Sequence, residues 1–305
     1  MSQECQITVR FHAPPVDLRR FFTTFYETEI TVPAGAVVRD ALQPEWGNLR
    51  FFNGAQPISA IAGQPPLANA RFTASGPTSR CVQFELGTTR FWGIGLLPLG
   101  WATFVNQPAG QFANLLLDGE QHPAFANFQP LADHIFARHH NSGRELAGIA
   151  DYFRARAKVP HRDEPRIHAI HAALINLDTV TVADMARRIG VGQRTVERLC
   201  QRHFGFSPKL LLRRQRFMRS LSQFMLDPTL KWIGAMDSHY HDQAQFVRDF
   251  HEFMGLSPRE YAAQPHPVLE QFMRERARMA GAAVQTLDRP EGVAPPQVAA
   301  SRPAP

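Results

Sequence analysis

The sequence predicts an α+β protein with an N-terminal domain of mixed α/β structure followed by an all-α domain. The first part of the chain mixes short apolar runs with Gly and Pro, as in CVQFELGTTRFWGIGLLPLGW. Helical periodicity begins near Leu131, and one sixteen-residue pattern occurs twice in the helical part. With 44% hydrophobic and 20% charged residues among 305, the composition is globular and the chain is long enough for two domains.

Local patterns divide the chain into three regions. Residues 81–86 and 91–97 have the composition of two strands around a Gly-Thr-Thr turn. Residues 158–166 combine two prolines with dense charge, which is typical of a linker. We therefore expect an N-terminal domain over residues 1–160, a helical domain over 161–265, and a C-terminal helix with a disordered Pro/Ala-rich tail over 266–305.

Composition and cysteine spacing bear on the compartment of the protein. The N-terminal residues lack the basic start and apolar run of a signal peptide. No apolar run approaches the roughly 18–20 residues of a membrane span. Because Cys5, Cys81 and Cys200 stand far apart, neither a disulfide framework nor a zinc knuckle is predicted. These features predict a reduced, cytoplasmic protein.

Positive charge is concentrated in one part of the helical region. The net charge is +6, but residues 187–231 carry eleven Lys and Arg against two acids, Glu197 and Asp227. Residues 232–260 reverse this balance, with two Arg against five acids. A net charge of about +9 over one short segment is typical of a surface that binds a polyanion. The charge therefore favours nucleic acid over an ordinary solvated helix face.

The repeated pattern is typical of a helix–turn–helix unit. QRTVERLCQRHFGFSP occupies residues 193–208, and QAQFVRDFHEFMGLSP occupies residues 243–258. Before the first copy, Thr181 can cap a helix, and Gly190 suits the left-handed turn that ends it. Each copy closes with Gly-x-Ser-Pro, in which Gly ends one helix while Ser and Pro begin the next. Two equivalent helix–turn–helix units are therefore predicted.

The outward side chains of the two repeated helices suit the major groove of DNA. In the first helix, Arg194, Glu197 and Arg198 lie on one face, opposite an apolar stripe. Arginine can donate two hydrogen bonds to guanine, and glutamate can accept one from cytosine. In the second helix, Gln243 and Arg248 are the corresponding candidates. We predict that these five side chains read bases, and a solvated helix face is the alternative.

Residues 208–226 between the two copies are predicted to form one basic linking helix. At about 1.5 Å per residue it spans roughly 27 Å. Since one turn of DNA advances about 34 Å, such a helix can place two recognition helices in successive major grooves. Its arginines are expected to contact phosphates, which fix position without reading sequence. The expected phosphate contacts are Gln193, Arg213, Arg214, Arg216 and Arg219.

Together these residues resemble the pattern of AraC-type transcription regulators over residues 169–263, about a third of the chain. The resemblance implies a sequence-specific regulator of transcription that binds double-stranded DNA, with RNA polymerase as a partner if it is an activator. It also implies an N-terminal domain that senses a small molecule, forms a homodimer, or does both. The stretch LQPEWGNLRFF is similar to the start of small barrel-like sensor domains in one branch of the family. The matching positions are Ala186, Gly190, Arg194, Arg198, the two Ser-Pro pairs, Arg216, Asp242, Phe246, Arg248 and Phe250.

Three positions depart from the family pattern. Gly192 replaces a capping serine, Cys200 replaces an aromatic residue, and His239 stands where the second unit usually has its turn glycine. A non-glycine residue in a left-handed turn costs on the order of 1 kcal/mol. Together with the acidic surroundings, these departures predict that the second unit is the weaker DNA reader.

Two alternatives to a DNA-binding regulator stay open from the sequence. One is an enzyme-like or metal-binding N-terminal domain fused to a DNA reader, and HYHD at residues 239–242 has metal-ligand residue types. However, no further ligand beyond Asp242 is placed nearby in the sequence, and no nucleophile–base motif or Gly-rich phosphate loop occurs. The other alternative is a protein-interaction module with little DNA affinity. We therefore expect no catalytic activity, cofactor or metal, and location in the cytoplasm at the nucleoid.

Overall fold

The computed structural model describes residues 5–227, 232–280 and 284–293. Strands dominate its first part and helices the remainder, which confirms the α+β class. The strands are β1 (Gln6–His12), β2 (Phe22–Thr31), β3 (Val38–Leu42), β4 (Asn48–Gly54), β5 (Ile58–Ile61), β6 (Phe72–Ser75), β7 (Val82–Leu86), β8 (Thr89–Leu96) and β9 (Leu116–Asp118).

The strands form two antiparallel sheets that pack face to face. The larger sheet has the order β1-β2-β8-β4-β6-β9, and the smaller has the order β3-β7-β5. Tyr26, Phe52 and Phe91 of the larger sheet meet Val38 and Phe84 of the smaller sheet in one apolar cluster. Because side chains alternate along a strand, the neighbours of these residues point to the opposite face. That second face is free to pack against the helices.

The remainder of the described chain is helical. Short 3-10 turns and one π-helical turn (Trp101–Val105) connect several of the elements. No helix among the described residues has both the length and the apolar character needed to cross a membrane. The helices are α1 (Pro98–Gly100), α2 (Gln129–His134), α3 (Ser142–Arg154), α4 (Glu164–Ile175), α5 (Val182–Ile189), α6 (Gln193–Phe204), α7 (Pro208–Leu226), α8 (Trp232–Ala235), α9 (Gln243–Met254), α10 (Pro258–Ala263) and α11 (Pro267–Ala280).

One apolar core crosses the predicted domain boundary at residue 160. In the β-rich part, Phe22 packs edge to face on Phe153 of α3, with ring centroids 4.6 Å apart. The same cluster continues through Ile170 of α4 to Leu199 of α6 and Leu211 of α7. Continuous burial of this kind favours a fixed arrangement of the two parts, since separating them would expose apolar surface to water.

The C-terminal segment returns to the β-sheets. Helix α11 packs against β1 and β3, and its Arg276 donates to Thr24 Oγ1 at 2.8 Å and pairs with Asp288. The described chain continues beyond this ion pair to Val293, and disorder of the Pro/Ala-rich tail stays a prediction. The rest of the predicted tail, residues 294–305, lies outside the described part of the chain.

His168 and His171 of α4 lie at the junction of the two parts. His171 is fully buried, with its ring 6.0 Å from that of Trp46, and its Nε2 has no hydrogen-bond partner among the described residues. Burial lowers the pKa of His171 to about 3. The folded protein therefore holds this imidazole neutral.

Acid is expected to destabilise the protein through His171. Since the unfolded chain protonates this residue near its usual pKa of 6.5, the free energy of unfolding should fall as the pH drops below 6.5. At pH 5 the expected loss from this residue is about 2 kcal/mol. Urea unfolding at pH 7.5 and pH 5 measures it, and the variant His171→Gln should lose less stability between the two pH values. An identical loss in both proteins would contradict this assignment.

Candidate DNA interface

The first helix–turn–helix unit consists of α5 and α6, as the sequence predicts. Thr181 Oγ1 accepts a hydrogen bond from the backbone N of Asp184 at 3.1 Å, and Asp184 Oδ2 accepts one from the backbone N of Thr181 at 2.9 Å. This capping box starts α5, and Gly190, with φ of 67°, ends it in the left-handed conformation. Helix α6 follows Gly192, which provides no side-chain cap.

Helix α6 presents its predicted base-reading side chains to solvent. Arg194, Glu197 and Arg198 are all exposed, and none forms a hydrogen bond or ion pair with another described residue. On the opposite face, Val196 and Cys200 are fully buried. Burial raises the pKa of the Cys200 thiol to about 12, so this residue fills the core as a small neutral group. The arginines therefore remain free for an external partner.

The second unit is built around α9 and ends with the predicted caps. Asp242 Oδ1 accepts a hydrogen bond from the backbone N of Gln245 at 2.6 Å and so starts α9, a role that the sequence analysis did not assign. Gln243 and Arg248 are exposed on this helix. Gly255, with φ of 73°, ends the helix as predicted. The next helix, α10, begins at the predicted Ser-Pro pair, where Ser257 and Glu260 form a capping box.

The turn of the second unit differs from the prediction at His239. The non-glycine residues with positive φ in the described chain are Asn69, Asn106 and Asn114, so His239 does not take the left-handed conformation. Instead, its backbone N donates to Asp237 Oδ1 at 2.9 Å. The Asp237 side chain thus stabilises an Asx-type turn in which His239 does not need the left-handed conformation. The backbone strain expected for a non-glycine residue at this position is therefore absent.

Three arginines of the linking helix α7 tie the second unit to it. Arg213 Nη2 lies 2.6 Å from Asp249 Oδ1, and Arg216 Nη2 lies 3.3 Å from Asp249 Oδ2. Arg219 pairs with Asp237. Asp249 is 2% exposed, so the carboxylate that accepts the contacts from Arg213 and Arg216 is shielded from water. The predicted phosphate-contact residues of α7 therefore have a structural role within the domain.

Among the predicted phosphate contacts, Arg214 differs most clearly from the prediction. It is fully buried, with Nη1 donating to the backbone oxygen of Thr78 at 2.8 Å and with its guanidinium 4.0 Å from the ring centre of Trp46. Burial lowers its pKa to about 9. The predicted phosphate contact is wrong in this arrangement, because α7 turns this side chain toward the β-sheets. The spacing of Arg214 from Leu211 and Leu221, by three and seven residues, signals the buried face.

A basic groove lies between the two units along α7. We give this name to the cavity of about 340 Å³ that Lys209, Arg213, Arg216 and Arg219 line. The start of α5 forms one wall, and Gln245 of α9 belongs to the opposite wall. Lys209 is a basic residue of this groove that the sequence analysis did not assign to the site. The structure thus brings three predicted phosphate residues together and separates Arg214 from them.

Comparison with known proteins identifies the helical part. Residues 185–264 match the family model described as a helix-turn-helix domain. No curated protein matches the chain.

Several solved structures show a distant likeness. ToxT from Vibrio cholerae O395 has 11% sequence identity and a TM-score of 0.41, over 85% of this chain and 96% of that chain. Unsaturated fatty acid bound wild-type ToxT from Vibrio cholerae strain SCE256 has 12% identity and a TM-score of 0.39, over 85% and 94%. The AraC-like transcriptional activator CuxR has 16% identity and a TM-score of 0.28, over 68% and 84%.

The family match and the geometry agree on the helical part. The matched segment begins within α5 and extends just beyond α10, so it contains both recognition helices and the linking helix between them. The AraC-type motif positions fall within these elements, and the glycine stops and serine caps take their predicted places. Residues 185–264 are therefore an AraC-type helix–turn–helix DNA-binding domain.

Proposed function

We propose that this protein is a sequence-specific regulator of transcription that inserts α6 and α9 into successive major grooves of double-stranded DNA. The observation that carries the proposal is the contrast between two sets of arginines. Arg194 and Arg198 on α6 are exposed and unpaired within the described chain, whereas Arg213, Arg216 and Arg219 are paired. Unpaired arginines on an exposed helix face can donate hydrogen bonds to guanine without first breaking internal ion pairs.

The basic groove suits the phosphate backbone between the two major grooves. Arg213 is 30% exposed and Arg219 is 21% exposed, so each keeps part of its guanidinium at the surface while paired. Lys209 is exposed and forms no ion pair within the described chain. Gln193, exposed at the start of α6, can donate to a phosphate on the neighbouring strand. Such contacts would fix the register of both recognition helices.

The two units are proposed to contribute unequally to DNA affinity. On α9 the outward positions carry Arg248 as the exposed arginine, and the acidic residues Asp237, Asp249 and Glu252 lie in the same unit. Negative charge near a phosphate backbone opposes binding, and these three carboxylates also neutralise Arg213, Arg216 and Arg219 of α7. We infer that α6 supplies most of the base reading and that α9 supplies less.

The β-rich part is proposed to sense a small molecule, to form a homodimer, or to do both. This part packs against α6 and α7 through shared apolar clusters. The packing supports a regulatory role, because a conformational change in the β-sheets would shift the positions of the DNA-binding helices. If the protein is an activator, RNA polymerase is a further partner. Under this proposal the protein is not an enzyme and acts in the cytoplasm, at the nucleoid.

Selection from random DNA duplexes tests the proposed function. The full-length protein should enrich one sequence with two conserved blocks about one helical turn apart, because α6 and α9 would contact successive major grooves. The block contacted by α6 should be the more strongly conserved. Enrichment of no sequence, with binding that is equal for all duplexes, would contradict sequence-specific recognition.

A further inference from the structure

A loop of the β-rich part lies against the C-terminal end of recognition helix α6. We call residues 106–111 the amide loop, after its three exposed amide side chains, those of Asn106, Gln107 and Gln111. A β-carbon at Gly110 would lie 2.5 Å from Gln201 Nε2 and 2.9 Å from the backbone oxygen of Gln201, so only glycine permits this close approach. The β-rich part therefore reaches the helix that is proposed to enter the major groove.

The contact falls on the side of α6 that carries the base-reading arginines. Gln201 follows Arg194 by seven residues and Arg198 by three, and this spacing places the three side chains on one helix face. Gln201 is exposed, and Arg202 next to it is exposed without an ion pair in the described chain. The amide loop thus borders the exposed face of α6 at the end of the helix.

Internal contacts hold the amide loop in this position. Its 3-10 turn, Ala109–Gln111, is followed by Phe112, whose backbone N donates to the backbone oxygen of Ala109 at 3.1 Å. Trp101 Nε1 donates to the backbone oxygen of Gln107 at 2.9 Å, and Ala109 and Phe112 are buried. The three amide side chains form no hydrogen bond with the described residues. A fixed backbone therefore presents free amide groups to solvent.

The chemistry of the amide loop suits the phosphate backbone of DNA. Residues 98–117 contain no Asp, Glu, Lys or Arg, so the loop does not repel phosphates as the acidic residues of the second unit do. Asparagine and glutamine side chains are common donors to phosphate oxygens. Since a recognition helix contacts base edges with its N-terminal residues, the C-terminal end of α6 lies toward the edge of the groove, where the backbone runs.

We propose that the amide loop contacts the phosphate backbone beside the base pairs that α6 reads. Gln107 and Gln111 donate hydrogen bonds from their side-chain amides, so that part of the DNA-binding surface belongs to the β-rich part. This inference rests on the proposed function, because it requires α6 to lie in the major groove. It adds that the helical domain alone does not contain the whole surface that contacts DNA.

Substitutions that change the charge of the amide loop test its proximity to phosphates. In about 0.1 M salt, Gln111→Lys in the full-length protein should raise the affinity for the selected duplex by roughly three- to tenfold. The same substitution should steepen the slope of log affinity against log salt by about 0.9. Gln111→Glu should lower the affinity by a similar factor. Fluorescence anisotropy with a labelled duplex measures all of these changes.

The matched controls place the same charges at Asn53, another exposed amide. Strand β4 begins two residues after Trp46, whose ring lies 5.8 Å from that of Phe204 in α6, and Asn53 is near the other end of that strand. It lies roughly 17 Å along the strand from Asn48. Because this separation exceeds the Debye length of about 10 Å, Asn53→Lys and Asn53→Glu should change the affinity less than about twofold.

Removal of both proposed donors tests the hydrogen bonds themselves. Gln107→Ala combined with Gln111→Ala should lower the affinity for the selected duplex and for unrelated duplexes alike, by roughly threefold or more, because phosphate contacts carry no sequence information. Thermal unfolding should be unchanged, since neither side chain bonds to the described chain.

Two results would overturn the inference and leave the proposed function intact. One is an equal effect of charge at positions 111 and 53, and the other is an unchanged affinity in the double alanine variant. A wild-type protein that binds no duplex DNA would overturn both the proposed function and this inference.

Discussion

Replacing Arg198 by alanine is expected to lower the affinity for the selected DNA duplex by roughly ten- to a hundredfold. The physical reason is the loss of a bidentate contact to a base, which contributes about 1–3 kcal/mol of discrimination. Arg198 is exposed and unpaired within the described chain, so its removal breaks no internal contact. Fluorescence anisotropy with a labelled duplex measures the change, and thermal unfolding should show unchanged stability.

The matched comparison is Arg248→Ala, which removes the corresponding arginine of the second unit. Its effect is expected to be clearly smaller, because acidic residues surround α9. Arg278→Ala on α11 serves as the control, since this exposed arginine pairs with Glu275 away from both recognition helices. Equal losses of affinity for Arg198→Ala and Arg248→Ala would contradict the proposed asymmetry between the two units.

Replacing Asp249 by alanine is expected to lower the free energy of unfolding by about 3 kcal/mol. Asp249 accepts contacts from Arg213, Arg216 and the hydroxyl of Tyr240, the last at 3.0 Å. Removal of this buried carboxylate leaves the Tyr240 hydroxyl without its acceptor and takes one ion pair from each arginine, while Arg213 keeps Glu252 and Arg216 keeps the backbone oxygen of His239. The second unit would also lose its main polar attachment to α7.

Urea unfolding followed by circular dichroism measures this loss at neutral pH. Asp151→Ala is the matched control, because that carboxylate is exposed and pairs only with Arg154 among the described residues. Its effect should be below about 1 kcal/mol, as for surface ion pairs in general. A similar small effect for Asp249→Ala would show that the α7–α9 attachment does not depend on this carboxylate.

Local signals in the sequence were sufficient to predict the helical part of the fold. Gly190, Gly205 and Gly255 take the left-handed conformation, and Ser207 and Ser257 cap the next helices, because each requirement involves residues within one turn. The exposure of the base-reading face of α6 follows for the same reason, since helical periodicity sets which side chains share a face.

Contacts over long sequence separations explain what the sequence did not reveal. Arg213 and Asp249 are 36 residues apart, and Arg214 reaches Thr78 across 136 residues. The basic helix α7 therefore has two different faces. One face forms ion pairs with the second unit, and the other packs against the β-rich part. Composition alone assigned all of these arginines to DNA, because charge counts contain no information on which partners the fold supplies.

The dependence of DNA affinity on salt concentration tests the central claim most directly. If the basic groove and α6 neutralise roughly four to seven phosphates, log affinity should fall linearly with log salt, with a slope of about −0.9 per phosphate. Arg198→Ala should weaken binding across the whole salt range. A flat dependence on salt in the wild-type protein would contradict the account that this helical domain binds the DNA backbone.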